Sequence, residues 1–357
     1  MTLRDITSVT ELHNYLHTAV QLEHATIPPY LTALYSIHPN TNGDAFRIIR
    51  AVVVEEMLHL TLAANVLNAV GGTPDLTGPD FVPPYPTRLP DGETDFEVGL
   101  QRFSREAIEA FMTIERPART TDDVDRLAQR DRHERLLLPK VTSDSGEERH
   151  FYSIGEFYQA IIEGLTRLEE GAQGDTLFGR GMTNQVGPEY YYSGGGGLIA
   201  VTDLDSAMKA LELVAEQGEG HSGRLFDDDG EIAHYYRYQQ LVLGRYYNPD
   251  DGAGNPTGVT LDVDWDSVYP IRTNVCLDDL EADPGLHAAA KTFNDRYAQF
   301  LRLLTDSFNG RPDLLISGVG EMFRLRDLAT QLIRSPLPDG SGENAAPTFE
   351  MPQATEA

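Results

Sequence analysis

The chain has 357 residues, 40% of them hydrophobic, enough to build one large domain. A formal net charge of -28 argues against nucleic acid or an anionic membrane as partner, since both would be repelled. The single cysteine, Cys276, excludes an internal disulfide and a cysteine-based metal cluster; no run of about eighteen apolar residues offers a membrane span, and Met1–Asp5 lacks the start of a secretory signal, so a cytoplasmic protein is expected.

A first helix is predicted over about 8–38, where Leu12, Leu16, Val20, Ile27, Leu31 and Leu34 recur at helical spacing. Pro28-Pro29 falls inside it and is expected to kink or divide it. A second helix, about 44–70, carries the stripe Ile49, Val52, Glu56, His59, Ala63, Val66, Val70 and stops at Gly71-Gly72. The two should form an antiparallel hairpin. Residues 73–150 read as a loop-rich, proline-punctuated insertion with a short helical piece at Phe103–Ile114. Helical pattern returns at about 154–168, 205–218, 231–247, 286–308 and 319–334. Between the first two of these, Tyr190–Tyr192 and Gly194–Gly197 read as a flexible turn that matches no phosphate-binding spacing. Val259–Val263 alternates like a short strand, and residues 336–357 read as a loosely ordered tail. The expectation is a mostly α protein: one helical-bundle domain over 1–335, with long loop elaborations and a few short strands.

Acidity alone says little, because most of the 56 carboxylates must be solvated. The informative ones replace apolar residues. Glu23 sits between Val20 and Ile27 in the first stripe, where a carboxylate needs a partner or a cation. Glu56 and His59 form Glu-x-x-His on one face of the second helix, with Glu55 as a competitor in another stripe. A Glu on one helix and Glu-x-x-His on its hairpin partner make half of a carboxylate-bridged di-metal site. For the other half, Glu231 and His234 repeat Glu-x-x-His. Glu163, Glu212, Glu216 and Glu219 are candidate carboxylates, although Glu163 shares the polar face of Glu156, Gln159 and Arg167. His221 reads as a loop residue.

The segments Gln21-Leu22-Glu23-His24-Ala25-Thr26-Ile27-Pro28-Pro29-Tyr30-Leu31 and Val54-Glu55-Glu56-Met57-Leu58-His59-Leu60 resemble the ferritin-like family of iminophenyl-pyruvate dimer synthases. So do Leu67-Asn68-Ala69-Val70-Gly71-Gly72, Glu216-Gln217-Gly218-Glu219-Gly220, His234-Tyr235-Tyr236-Arg237-Tyr238 and Pro347-Thr348-Phe349-Glu350. That family includes the ferritin-like parts of violacein and rebeccamycin pathway enzymes, which couple imine-bearing aryl-pyruvate units oxidatively. The resemblance implies a ferritin-like bundle with metal ligands at Glu23, Glu56 and His59, and it favours Glu216, Glu219 and His234 over Glu231. The resulting expectation is a pair of metal ions, iron first, with manganese and zinc compatible with the same ligands. The function expected is an oxidoreductase acting on a small amino-acid-derived metabolite with dioxygen or peroxide, alone or as a homo-oligomer. The competing expectation is a non-enzymatic metal-binding or structural ferritin-like protein.

Overall fold

Helix α1 (Val9–Ser36) starts where the Ser8 side chain accepts the Glu11 N–H, and it runs unbroken through Pro28-Pro29. The expected division is therefore corrected. Pro29 has no N–H for the Ala25 carbonyl, and the Tyr85 hydroxyl donates to that carbonyl instead, at 2.9 Å. The computed structural model describes residues 6–90, 96–117, 151, 153–172, 175–179, 182–191, 197–220, 225–227 and 230–352. The charged part of the insertion after residue 117, His221 and Tyr192 lie outside the described residues.

A short turn with Asn40 and Asn42 at positive φ reverses the chain into α2 (Gly43–Ala69), which Gly71 ends at φ 84°. Then follow α3 (Arg105–Ile114), α4 (Ile154–Glu170), α5 (Leu204–Glu219), α6 (His234–Leu243), α7 (Pro284–Phe308) and α8 (Leu314–Ile333). Ser104, Ser153, Asp203 and Asp283 each cap the helix that follows by accepting backbone N–H groups.

The α1–α2 hairpin is the centre of the molecule. On one flank it meets α3, α4, α5 and α6, with α3 packed on α6 and α4 on α5. On the other, the α7–α8 hairpin lies across α1 and α2. One hydrophobic cluster runs from Ile6 to Phe349 through all of these elements. No helix among the described residues is long and apolar enough to cross a membrane.

Three further expectations are corrected. The helix read over 231–247 is only α6, because the backbone of 231–233 pairs with 225–227 (Asp227 N–H to Glu231 O, Ala233 N–H to Leu225 O) and Gly244, at φ 66°, ends it. No strand occurs among the described residues; Val259–Val263 contributes a single bridge, Thr260 with Arg245. The tail is not loose up to residue 352: Ala345, Ala346, Thr348 and Phe349 are buried, and the Phe349 ring meets Phe293 and Tyr297 edge-on. Apolar residues within a polar composition outweighed the composition.

Close packing at α4 gives a direct test. A Cβ on Gly164 would stand 2.6 Å from Cβ of Ile6, an atom that no side-chain rotation can move. Gly164→Ala is expected to lower stability by roughly 1–3 kcal/mol, read by urea denaturation, despite alanine's better helix propensity.

Candidate metal centre

Five side chains converge between α1–α2 and the helices on their flank. Glu23 comes from α1, Glu56 and His59 from α2, Glu115 from the residue closing α3, and His234 from the first position of α6; all are at most 2% exposed. Glu56 lies in the middle. Its Oε1 is 2.9 Å from Nδ1 of His234 and 3.8 Å from Nδ1 of His59. Each histidine has a further carboxylate of its own: Glu23 Oε2 is 3.5 Å from His59 Nδ1, and Glu115 Oε2 is 3.6 Å from His234 Nδ1. The imidazoles stack with centroids 5.4 Å apart. One ligand atom each from Glu56, His59 and His234 lies within 4.8 Å of the others.

Around this group a ring of hydrogen bonds sets every orientation. The far nitrogen of His59, Nε2, meets Gln217 Oε1 at 2.8 Å, and that of His234 meets Glu55 Oε2 at 2.7 Å. Both partners accept, so each Nε2 carries the hydrogen and each Nδ1 is turned inward. Tyr158 donates to Glu23 at 2.5 Å, Tyr30 to Glu115 at 2.6 Å and Thr26 to Glu56 at 3.0 Å. Glu55 is held in turn by Arg237, whose Nη1 donates to it at 2.9 Å.

The electrostatics point one way. Burial, followed by the charge of Glu115, pushes the Glu56 carboxyl up to about 7. Burial acts to lower His59 and His234, yet their carboxylate neighbours outweigh it and both are raised, His234 well above the usual histidine range. Every one of these shifts draws positive charge into the cluster. Glu55 differs. Burial alone would raise it, but His234 and Arg237 bring it down to about 2, so it stays ionised.

A bound cation fits these residues. Nδ1 of His234 is buried and makes no hydrogen bond, although it lies 2.9 Å from Glu56 Oε1. At this distance a cation bound between them would be met by both atoms in place of a proton. Three carboxylates and two imidazoles form a donor set suited to iron, manganese or zinc.

The sequence candidates divide. Glu23, Glu56, His59 and His234 come together. Glu163 does not: it is exposed on α4, where Gln159 donates to it at 3.0 Å. Glu212 is exposed, Glu216 is half-buried, and Glu219 is turned away to accept the Gly155 N–H at the start of α4. The residue that α5 brings to the cluster is Gln217, between the two expected carboxylates. Glu231 is exposed and pairs with Arg237. Sequence reading passed over Glu115 because it ended the short helical piece at Ile114, inside an insertion read as mostly loop. A signal was present: Ile108, Phe111 and Glu115 follow one helical stripe, so Glu115 takes an apolar place as Glu23 does. Gly218 leaves room for it, since a Cβ there would meet Glu115 Oε2 at 3.3 Å.

A ferritin-like family model matches residues 16–243, a stretch that takes in all five clustered side chains. The chain belongs to the ferritin-like family. Among individual relatives, it is 29% identical over 339 residues to the dichlorochromopyrrolate synthase of Lentzea aerocolonigenes, an alignment covering 87% of this chain and 30% of that protein. The chain thus spans under a third of that relative's length. The crystal structure of a ferritin-like protein from Caulobacter vibrioides has the same fold, with a TM-score of 0.60 at 22% identity, covering 92% of this chain and 96% of that one.

Proposed function

We propose that the chain holds two metal ions, iron in the first instance, and oxidises a small amino-acid-derived metabolite with dioxygen or peroxide. The observation that carries this reading is the convergence of three buried carboxylates on two imidazoles whose Nδ1 atoms are turned inward, with Nδ1 of His234 2.9 Å from Glu56 and 3.6 Å from Glu115. Glu56 stands between two histidine–carboxylate pairs, with Glu23 and His59 on one side and Glu115 and His234 on the other, and these five residues would hold the ions. A metal pair so held supplies redox and Lewis-acid chemistry.

The chain's own residues do the rest. Gln217 and Glu55 keep the hydrogen on the outer nitrogens, so that both inner nitrogens offer lone pairs. Tyr30 and Tyr158, held protonated by burial and by the carboxylates beside them, donate to Glu115 and Glu23 and fix their outer oxygens. Burial keeps bulk water from the group. The name of the Lentzea relative supports small-molecule biosynthesis as the setting.

Anaerobic addition of ferrous iron to the full chain, with metal analysis and then exposure to oxygen, tests the reading. About two ions per chain, oxygen uptake and an absorbance change are expected. Iron bound without oxygen uptake would favour a non-enzymatic metal-binding protein. No iron bound would remove the reading altogether.

A further inference from the structure

Tyr30, Tyr158 and Tyr238, all fully buried, stand beside the cluster of carboxylates and histidines, and the first two hydrogen-bond to it. Each of the three glutamates has one oxygen turned outward and one turned inward. The outward oxygens take hydroxyl donors: Glu23 Oε1 from Tyr158, Glu115 Oε1 from Tyr30 and Glu56 Oε2 from Thr26. The inward oxygens, Glu23 Oε2, Glu115 Oε2 and Glu56 Oε1, each face a histidine Nδ1. Every oxygen of the three carboxylates is thus engaged by the protein. The third tyrosine, Tyr238, is left over.

Tyr238 lies on α6 one turn after His234, so the two side chains leave the same face of the helix. Its ring stands edge-on to Tyr30, with centroids 5.5 Å apart, and 5.5 Å from Phe111, while Tyr30 and Phe111 are 4.5 Å apart. Helices α1, α3 and α6 each supply one ring to this triangle, which fixes where the Tyr238 ring stands. Its hydroxyl is buried and has no hydrogen-bond partner among the described residues. Burial first, then the charges of Glu115 and Glu56, keep that hydroxyl protonated and so a donor. These are the two carboxylates that flank Nδ1 of His234. A buried donor without an acceptor costs stability, and phenylalanine would fill the same ring position without that cost. Packing explains the ring but not its hydroxyl.

We propose that the Tyr238 hydroxyl is the hydrogen-bond donor for a small exogenous ligand of the metal pair, such as dioxygen or azide, on the side held by His234 and Glu115. The inference rests on the metal reading and adds to it the side on which a small molecule joins the ligands. The acceptor that the hydroxyl lacks arrives with that molecule, which explains why the protein supplies none. The two halves of the cluster then differ in chemistry although they match in ligands. Beside Glu23 and His59, the Tyr158 hydroxyl is bonded to a carboxylate. Beside Glu115 and His234, Tyr30 is bonded in the same way and Tyr238 is not. A donor fixed in a dry site stabilises charge that gathers on a ligand atom, with no rearrangement needed at that moment.

The test is titration with azide, followed by absorbance, of the full chain loaded with iron and oxidised to the ferric state. Tyr238→Phe is expected to hold the parent's iron content and to bind azide about tenfold more weakly, or weaker still. The metal-free proteins give a readout that does not involve iron. In urea, metal-free Tyr238→Phe should unfold at a denaturant concentration no lower than the parent, because no hydrogen bond is lost. Tyr30→Phe supplies the contrast: it takes the donor from Glu115 and should unfold at a lower concentration. Parental azide affinity in iron-loaded Tyr238→Phe would overturn the inference and leave the metal reading standing. So would an iron-loaded parent that gives no azide complex, or a Tyr238→Phe protein that loses its iron. A metal-free Tyr238→Phe that unfolds as early as Tyr30→Phe would show that the hydroxyl already has a partner in the native fold, which also overturns the inference. A parent that binds no iron would end both.

Discussion

The His234→Ala protein is expected to lose roughly a hundredfold or more in affinity for ferrous or manganous ion. Its Nδ1 is buried and turned inward, 2.9 Å from Glu56 and 3.6 Å from Glu115, where a cation would meet all three side chains. Removing the ring takes a donor from beside Glu56 and Glu115 and leaves Glu55 with Arg237 alone. Competition against a calibrated chelator under anaerobic conditions measures the loss. Glu163→Gln supplies the contrast: its side chain is exposed and bonded within its own helix, so metal affinity should not change. If His234→Ala kept parental affinity, or if Glu163→Gln reduced it as much, the proposed ligand set would be wrong. Glu115→Gln belongs in the same series, because it tests the carboxylate that sequence reading passed over. It keeps the shape and the reach of the side chain but removes its charge, and should weaken binding at least tenfold.

How far the sequence revealed this group follows from the kind of signal each residue carries. Glu23, Glu56 and His59 were legible because each occupies an apolar position in a long, regular stripe, and a polar group in such a place needs an explanation. Helix existence was legible for the same reason, whereas helix ends were not. Residues 231–233 carry no backbone signal that separates them from α6, and Gly244 sets the other limit through a left-handed conformation that periodicity does not register. The proline pair misled because local chemistry predicts a break, while the Tyr85 hydroxyl, distant in sequence, satisfies the Ala25 carbonyl. Gln217 was hidden between two glutamates that looked better suited. A neutral amide is what Nε2 of His59 needs as an acceptor, and only the fold reveals that need. The outer hydrogen-bond ring joins residues far apart in the chain, Tyr158 with Glu23 and Tyr30 with Glu115, and no local pattern encodes such pairs.

Arg237→Ala is expected to destabilise the metal-free protein by about 3–5 kcal/mol, the cost of leaving a buried carboxylate without its partner. Arg237 and Glu55 have side chains 8% and 7% exposed, and their contact is 2.9 Å. The arginine also donates to the Ile232 carbonyl and reaches Glu231, so it ties the turn before α6 to the start of that helix. Among the described residues, Glu55 is the acceptor that holds the hydrogen on Nε2 of His234. When the arginine is lost, that carboxylate is expected to shift towards its remaining partner, and metal affinity should fall by roughly tenfold to a hundredfold. The two effects separate in a double-mutant cycle. Glu55→Gln in the Arg237→Ala background should recover much of the stability, because the unpaired charge is gone, but little of the metal affinity, because an amide does not polarise the imidazole as a carboxylate does. Urea denaturation of the metal-free proteins reads the first quantity and chelator competition reads the second. A loss of less than about 1 kcal/mol for Arg237→Ala would place the pair among ordinary surface bridges and remove its assigned part in positioning His234.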